Sequence, residues 1–259
     1  MHNLFTIINE NDHIVRIELT NGKKYNPLSL DLIRALTKTL KEVSSQPKVK
    51  VLIISSEGPG FSAGHDLDEL RKNKNNKEFF KLLFNECSKL MQTIMNLPQP
   101  VIAEVSGIAA AAGCQLVASC DLAIASEQSS FVTPGVNIGL FCSTPMVAVS
   151  RNISRKKIME MLLTGEKLNS QDAVQFGLIN HSVPQEQLCN KTMDLAKLIA
   201  SKPSSTVKIG KEAFYRQVEM PINEAYNYTS EVMTANMMEL DAQEGINAFL
   251  DKRHPNWNE

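Results

Sequence analysis

The order of hydrophobic patterns along the chain predicts an α/β core followed by a helical C-terminal region. Three observations carry that expectation. Short apolar runs, such as Val49 to Ile54 and Val101 to Val105, have the length and continuity of strands covered on both faces. Longer stretches with apolar residues every three or four positions separate them, as in amphipathic helices. After Thr144 the strand pattern nearly disappears, and helical periodicity dominates the rest of the 259-residue chain. Residues 1–200 are therefore assigned to the core and 201–259 to a C-terminal helical region.

Leu4 to Ile8 and His13 to Leu19 read as a hairpin, joined by the polar residues Asn9 to Asp12. Ser29 is placed to cap a helix whose apolar face is Leu32, Leu36, Leu40 and Val43. Val49 to Ser55 is the first buried strand, and a glycine-rich loop, Glu57 to Gly64, leaves it. The polar, asparagine-rich segment Arg71 to Glu78 is expected to be a solvated loop. A long amphipathic helix follows, from Phe79 to Met95, and the prolines after Leu97 end it.

Beyond the second buried strand, Gly107 to Ser119 reads as a small-residue turn opening into a helix. Leu122 to Ala125 and Phe131 to Thr133 are short strands, and Asp121 closes the turn before the first of them. Arg155 to Thr164, Ser170 to Phe176 and Glu186 to Ala200 are helices, with one strand-like return at His181 to Val183. Asn223 to Lys252 reads as helices carrying Tyr226, Met233, Met237 and Phe249. That is more apolar surface than a small appendage needs for its own core.

Charge excludes some partners. Lys and Arg total 27 against 28 Asp and Glu, so nothing pulls the chain onto nucleic acid or an anionic membrane. Its apolar runs fall far short of the ~20 residues that span a bilayer. The five cysteines form no CxxC pair and read as reduced thiols. With an N-terminus unlike a signal or transit peptide, they predict a cytoplasmic location. The five histidines are scattered without metal-ligand spacing, so no metal is expected. No nucleophile elbow, phosphate-binding loop or dinucleotide fingerprint is present.

Two small-residue turns stand out, each directly after a buried strand: Phe61 to Leu67 and Gly107 to Gly113. Two readings fit them. Small residues let a strand pack tightly on a helix. They also let a ligand approach the backbone, where free N–H groups could bind a developing negative oxygen.

The strings FSAGHDL, PVIAEVSGIAAAAGCQLVASCDLAIAS, FVTPGVNIGL, LTGEKLNSQDAVQFGLIN and EGINAFLDKRHPNW, in that order and spacing, resemble the enoyl-CoA hydratase/isomerase (crotonase) superfamily. The likeness runs from about Ile14 to the C-terminus. It implies a crotonase-type superhelix of strand–strand–helix turns, with C-terminal helices that build homotrimers, commonly stacked into homohexamers. It also implies an acyl-CoA or enoyl-CoA substrate in fatty acid metabolism, with no tightly bound cofactor, because coenzyme A belongs to the substrate. The thioester oxygen would be held by the backbone N–H groups of His65 and Ala112. Lys23, Lys24 and Tyr25 would lie along coenzyme A, and Ala63, Asp66 and Leu67 would flank its pantetheine and adenine. Phe249 and Lys252 match positions that reach the CoA nucleotide, often from a neighbouring subunit.

The chain also departs from the family pattern. Hydratases of the family place two glutamates around a water; here those positions hold Gln115 and Gly135. A third position, catalytic Asp in dienoyl isomerases, is Ser143. A Gln amide can orient a water but cannot take its proton near neutrality, and glycine can do neither. The expectation is an acyl-CoA-binding lyase or isomerase with its oxyanion hole retained and its hydratase chemistry weak or altered. Two alternatives stand beside it: a non-catalytic acyl-CoA binder or sensor, and a thioester hydrolase or decarboxylase using His65, Ser143 or an ordered water. Gln115→Glu with Gly135→Glu is expected to raise hydration only when combined.

Overall fold

The computed structural model describes residues 4–258. β1 (Phe5–Asn9) and β2 (Ile14–Leu19) form the expected hairpin, with Phe5 opposite Leu19. α1 (Leu30–Ser44) starts where predicted, the Ser29 side chain accepting from the Leu32 N–H. β3 (Val51–Ser56) follows, then α2 (Leu67–Lys72) and α3 (Lys77–Asn96). The predicted loop at Arg71 to Glu78 is thus reduced to Asn73–Asn76. The Asp66 carboxylate caps α2 and the Asn76 amide oxygen caps α3, so polar side chains here end helices as well as meet water.

β4 (Val101–Val105) leads into β5 (Ile108–Ala110), α4 (Ala112–Ser119), β6 (Leu122–Ser126) and β7 (Ser130–Val132). The strand β5 interrupts what the sequence read as a turn, because Ile108 to Ala110 find main-chain partners in β7. α5 (Pro145–Val149), which the periodicity did not mark, precedes α6 (Arg155–Thr164), β8 (Leu168–Asn169), α7 (Ser170–Phe176), β9 (His181–Val183) and α8 (Leu188–Ala200). The chain closes with α9 (Ser204–Gln217), α10 (Ile222–Met237) and α11 (Leu240–Leu250). No helix among the described residues is long and apolar enough to cross a membrane.

The large sheet has the order β1-β2-β3-β4-β6-β9, parallel after the first hairpin. Continuous apolar sequence in its central strands follows from cover on both faces. Val15, Ile17, Leu52 and Ile54 pack with α1 and α3, while Ile14, Val51, Ile53 and Ile102 pack with α8. A second layer holds β5, β7 and β8. Earlier in the chain it shrinks to single bridges, Leu28 with His65 and Ser62 with Ala109. Successive turns therefore give one strand to each layer before their helix, which is the strand–strand–helix superhelix.

The C-terminal helices are built differently. Across α9, α10 and α11 only Ala213, Ala225, Asp241 and Ala248 are buried. A polar clamp holds them to the core. Lys211 Nζ donates to Ile94 O (3.0 Å), Gln99 O (2.9 Å) and Asp121 Oδ2 (2.6 Å), and Tyr215 Oη donates to Asp121 Oδ1 (2.9 Å). Asp121 also accepts from the Val101 N–H, so its turn-closing role extends to tying two regions together. Burial pushes Asp121 up and Lys211 down, against the attraction of each for the other. Cavities of about 230 and 470 Å³ lie at this junction, at the end where β4 and β6 begin.

Candidate active site

The two small-residue turns leave the other ends of the strands, where β3 and β4 finish, and main-chain hydrogen bonds zip them together. Ser62 N donates to Ile108 O (3.1 Å), and Ala110 N donates to Ser62 O (2.8 Å). The segment after Gly22 joins the same assembly: Ala63 N donates to Tyr25 O (2.7 Å) and Leu28 N to Gly64 O (2.8 Å). Asn26, fully buried, pins it with its amide on Glu57 O (3.0 Å) and Gly60 O (2.9 Å). Small residues are required here. A Cβ on Gly64 would lie 2.9 Å from Ala110 O and 3.1 Å from Ala112 N; one on Gly113 would lie 2.4 Å from Ser62 O. The packing reading and the exposed-amide reading thus describe one construction, in which tight packing brings the two turns into contact.

Among the described residues, the N–H groups of His65 and Ala112 donate to no acceptor. Ala112 opens α4, where the first N–H groups of a helix have no partner in the helix itself. The residue before it, Ala111, has φ 49° and ψ −114°, a conformation that suits glycine far better than alanine. Its N–H on Val132 O (2.9 Å) and its carbonyl on Gln115 N (3.0 Å) hold it there. Strain of this kind costs about 1–3 kcal/mol and persists where surrounding structure enforces it.

Several polar atoms beside these turns are buried without a protein partner: Asn26 Oδ1, His65 Nε2, Gln115 Oε1 and Thr133 Oγ1. Each such atom costs about 1–3 kcal/mol if nothing meets it, so each is a place that a water or a polar ligand group would satisfy. His65 packs its ring edge-on to Phe84, centroids 5.4 Å apart, with Nδ1 3.3 Å from Leu28 O. Burial pushes its imidazole below the ordinary histidine range. Gln115, only 4% exposed, points no charge into this region.

Gly135 lies in a 3-10 turn, Pro134–Ile138, and is enclosed. A Cβ there would stand 2.8 Å from Leu140 O and 2.9 Å from Cys142 Sγ. The restored glutamate imagined from sequence has no room at this position: the turn at Leu140 to Cys142 fills the space. Ser143 is exposed, its hydroxyl on Phe141 O (3.3 Å). Burial pushes the Cys114 thiol up to about 12 and raises Cys142 as well, so neither offers a thiolate near neutrality.

The other residues implied by resemblance fall in two places. Lys23 and Lys24, on the 3-10 turn Gly22–Lys24, are exposed beside the exposed Tyr25, and Ala63 and Leu67 sit at the rim. The Asp66 carboxylate is occupied in capping α2, accepting from Asp68 N (2.9 Å) and Glu69 N (3.2 Å). Phe249 and Lys252 are not brought to this assembly. Phe249 lies in α11 and Lys252 just after it, in the region clamped at the opposite end of the strands, and Phe249 is 83% exposed. Asn26 and Phe84 were missed from sequence, since nothing in their spacing distinguishes them from ordinary loop or helix residues; Ser62 and Thr133 lie in segments the sequence marked without being singled out there.

Comparison with known proteins agrees with this architecture. The family model for enoyl-CoA hydratase/isomerase matches residues 9–259. Human enoyl-CoA hydratase domain-containing protein 3, mitochondrial, is 49% identical over 247 residues, covering 95% of this chain and 81% of the relative. The Xenopus laevis protein of that name is 47% identical over 256 residues, covering 99% and 87%. Among solved structures, an enoyl-CoA hydratase of Mycobacterium smegmatis superimposes with TM-score 0.96 at 41% identity, covering 99% of each chain. The human domain-containing protein 3 structure gives 0.95 at 47%, covering 98% of this chain and all of the other. The human, Xenopus laevis and Mus musculus domain-containing protein 3 relatives are mitochondrial by name, which overturns the cytoplasmic location expected from the thiols. Free cysteines report a reducing environment, not which compartment supplies it. The matched length, the identities and the superhelix together make the chain a member of the enoyl-CoA hydratase/isomerase family, with the crotonase fold and closely similar to the domain-containing protein 3 subgroup.

Proposed function

We propose that this cleft binds an acyl-CoA thioester and polarises its carbonyl, with the oxygen between the N–H groups of His65 and Ala112. The observation that carries the reading is the pair of unbonded amides on two turns in direct contact, one of them following the strained Ala111. Removing one such donor typically costs ~2.7–4 kcal/mol of transition-state stabilisation. Coenzyme A runs past Lys23, Lys24 and Tyr25 and over Ala63, Asp66 and Leu67, and no other cofactor is invoked. Phe249 and Lys252 reach a nucleotide only from a second copy of the chain, in a homotrimer or a hexamer made of two. The bare C-terminal helices support that assembly.

Hydration is the weak point of the site. Neither Gln115 nor Gly135 exchanges a proton with water, and losing one such group typically costs ~10²- to 10⁴-fold in rate. Gly135→Glu is now expected to disrupt the turn at Leu140 rather than restore activity. The enclosure at Gly135 favours, as a second reading, a binder that holds thioesters without turnover. Titration with butanoyl-CoA, alongside loss of conjugated absorbance from crotonyl-CoA, separates the cases. Binding with hydration at least 100-fold slower than an ordinary hydratase is expected. Rapid hydration overturns the account of Gln115 and Gly135, and absence of binding overturns the thioester assignment itself.

A further inference from the structure

Four of the carboxylates near these turns are already engaged. Asp66 caps α2, Asp68 pairs with Arg71, Glu69 accepts from the Leu30 N–H, and Glu104 is paired with Arg16. Gln115 and Ser143 hold no proton-accepting charge, and the buried thiols stay protonated. Of the unpartnered polar atoms beside the turns, one belongs to an imidazole rather than to an amide or hydroxyl, and so to a group that takes a proton near neutrality.

That side chain is His65. Leu28 O, 3.3 Å from Nδ1, is a carbonyl and can only accept, so the ring proton sits on Nδ1. In the neutral ring Nε2 is then a bare lone pair, and it is buried with no partner among the described residues. Burial favours that neutral form. The main-chain N–H of the same residue is the unbonded donor described above. The unpartnered ring nitrogen and the amide that would face the thioester oxygen thus belong to one residue. Its cover is thin: α2 buries no residue, and Phe84, the ring against it, is itself exposed.

We propose that His65 is the proton-transfer residue of this cleft, its Nε2 taking a proton from the α-carbon of the bound thioester. The inference rests on the thioester reading. The C–H electron pair becomes the C=C bond of an enolate, and the carbonyl π pair moves onto the oxygen facing the His65 and Ala112 amides. The imidazolium then returns the proton to the α-carbon, which exchanges it. With a 3-enoyl thioester it delivers the proton to the γ-carbon instead, which moves the double bond into conjugation. Both outcomes conserve atoms and electrons without a co-reactant. The substrate class is a thioester with an acidic α-proton, and the reaction is enolisation rather than water addition.

The test follows deuterium entering the α-carbon of butanoyl-CoA in D₂O, by mass spectrometry, with affinity for butanoyl-CoA measured in parallel. Wild-type protein is expected to exchange, and His65→Gln to bind within about threefold while losing at least ~100-fold in exchange. His65→Ala, with activity returned by added imidazole, serves if the glutamine variant folds poorly. Exchange unchanged in both variants overturns the proposal. So does wild-type protein that binds butanoyl-CoA and exchanges nothing, a result that leaves the binding reading standing. Failure to bind at all overturns the thioester reading, and this inference falls with it.

Discussion

The helix that opens at Ala112 and the three helices that close the chain follow opposite rules. Every residue of α4 is buried, and its first turn sits against Ser62 and Gly64. The three C-terminal helices bury three alanines and one aspartate between them, while Phe214, Ile222, Tyr226, Met233, Leu240 and Phe249 stay exposed. The first region takes its shape from contacts within the chain. The second leaves a series of large apolar side chains exposed, which the assembly proposed above would cover. The buried clamp of Asp121, Lys211 and Tyr215 is the main polar joint between them.

That contrast can be broken from its rigid side. Gly107 has φ +73°, and a Cβ on it would meet Pro59 O at 2.1 Å. Gly107→Val is expected to cost at least about 4 kcal/mol and to abolish the cooperative melt followed by circular dichroism. Next in size is the joint. Lys211→Met strands Asp121 in a buried site, with an expected loss of about 3–5 kcal/mol in chemical denaturation. Adding Asp121→Leu is expected to recover part of that loss, because an unpaired buried charge costs more than a missing pair.

From the exposed side the readout changes. Phe249→Glu is expected to leave the melting temperature within a few degrees and to shift the oligomer towards smaller species in sedimentation. An unchanged sedimentation profile would show that α11 lies outside the interface. The smallest effect carries the opposite sign. Ala111→Gly removes the strain at φ 49° at some cost in unfolded-state entropy, for a net stabilisation of about 1 kcal/mol. A rise in melting temperature of about 2–4 °C is expected.

Much of the fold was legible because periodicity is a local record of what becomes buried. The opening hairpin, the Ser29 cap, the two buried strands and most helix bounds emerged where the pattern put them. The asparagine-rich segment misled because polar side chains serve as helix caps as readily as they solvate a loop. The short strand β5 was hidden because its residues, Ile108 to Ala110, run without a break into the alanines and glycine that open α4.

The sequence by itself determined which segments become most of the strands and helices, and the family. Only the tertiary structure decided that the two small-residue turns touch, that Ala111 is strained, and that Cys142 and Leu140 close the space at Gly135. It alone set which carboxylates are spent on caps and ion pairs, and which nitrogen of His65 is left bare. A backbone N–H is chemically the same in nearly every residue, so no side chain announces the ones that go unpaired. Whether it is free depends on a partner that lies dozens of residues away and is fixed only when the strands pack.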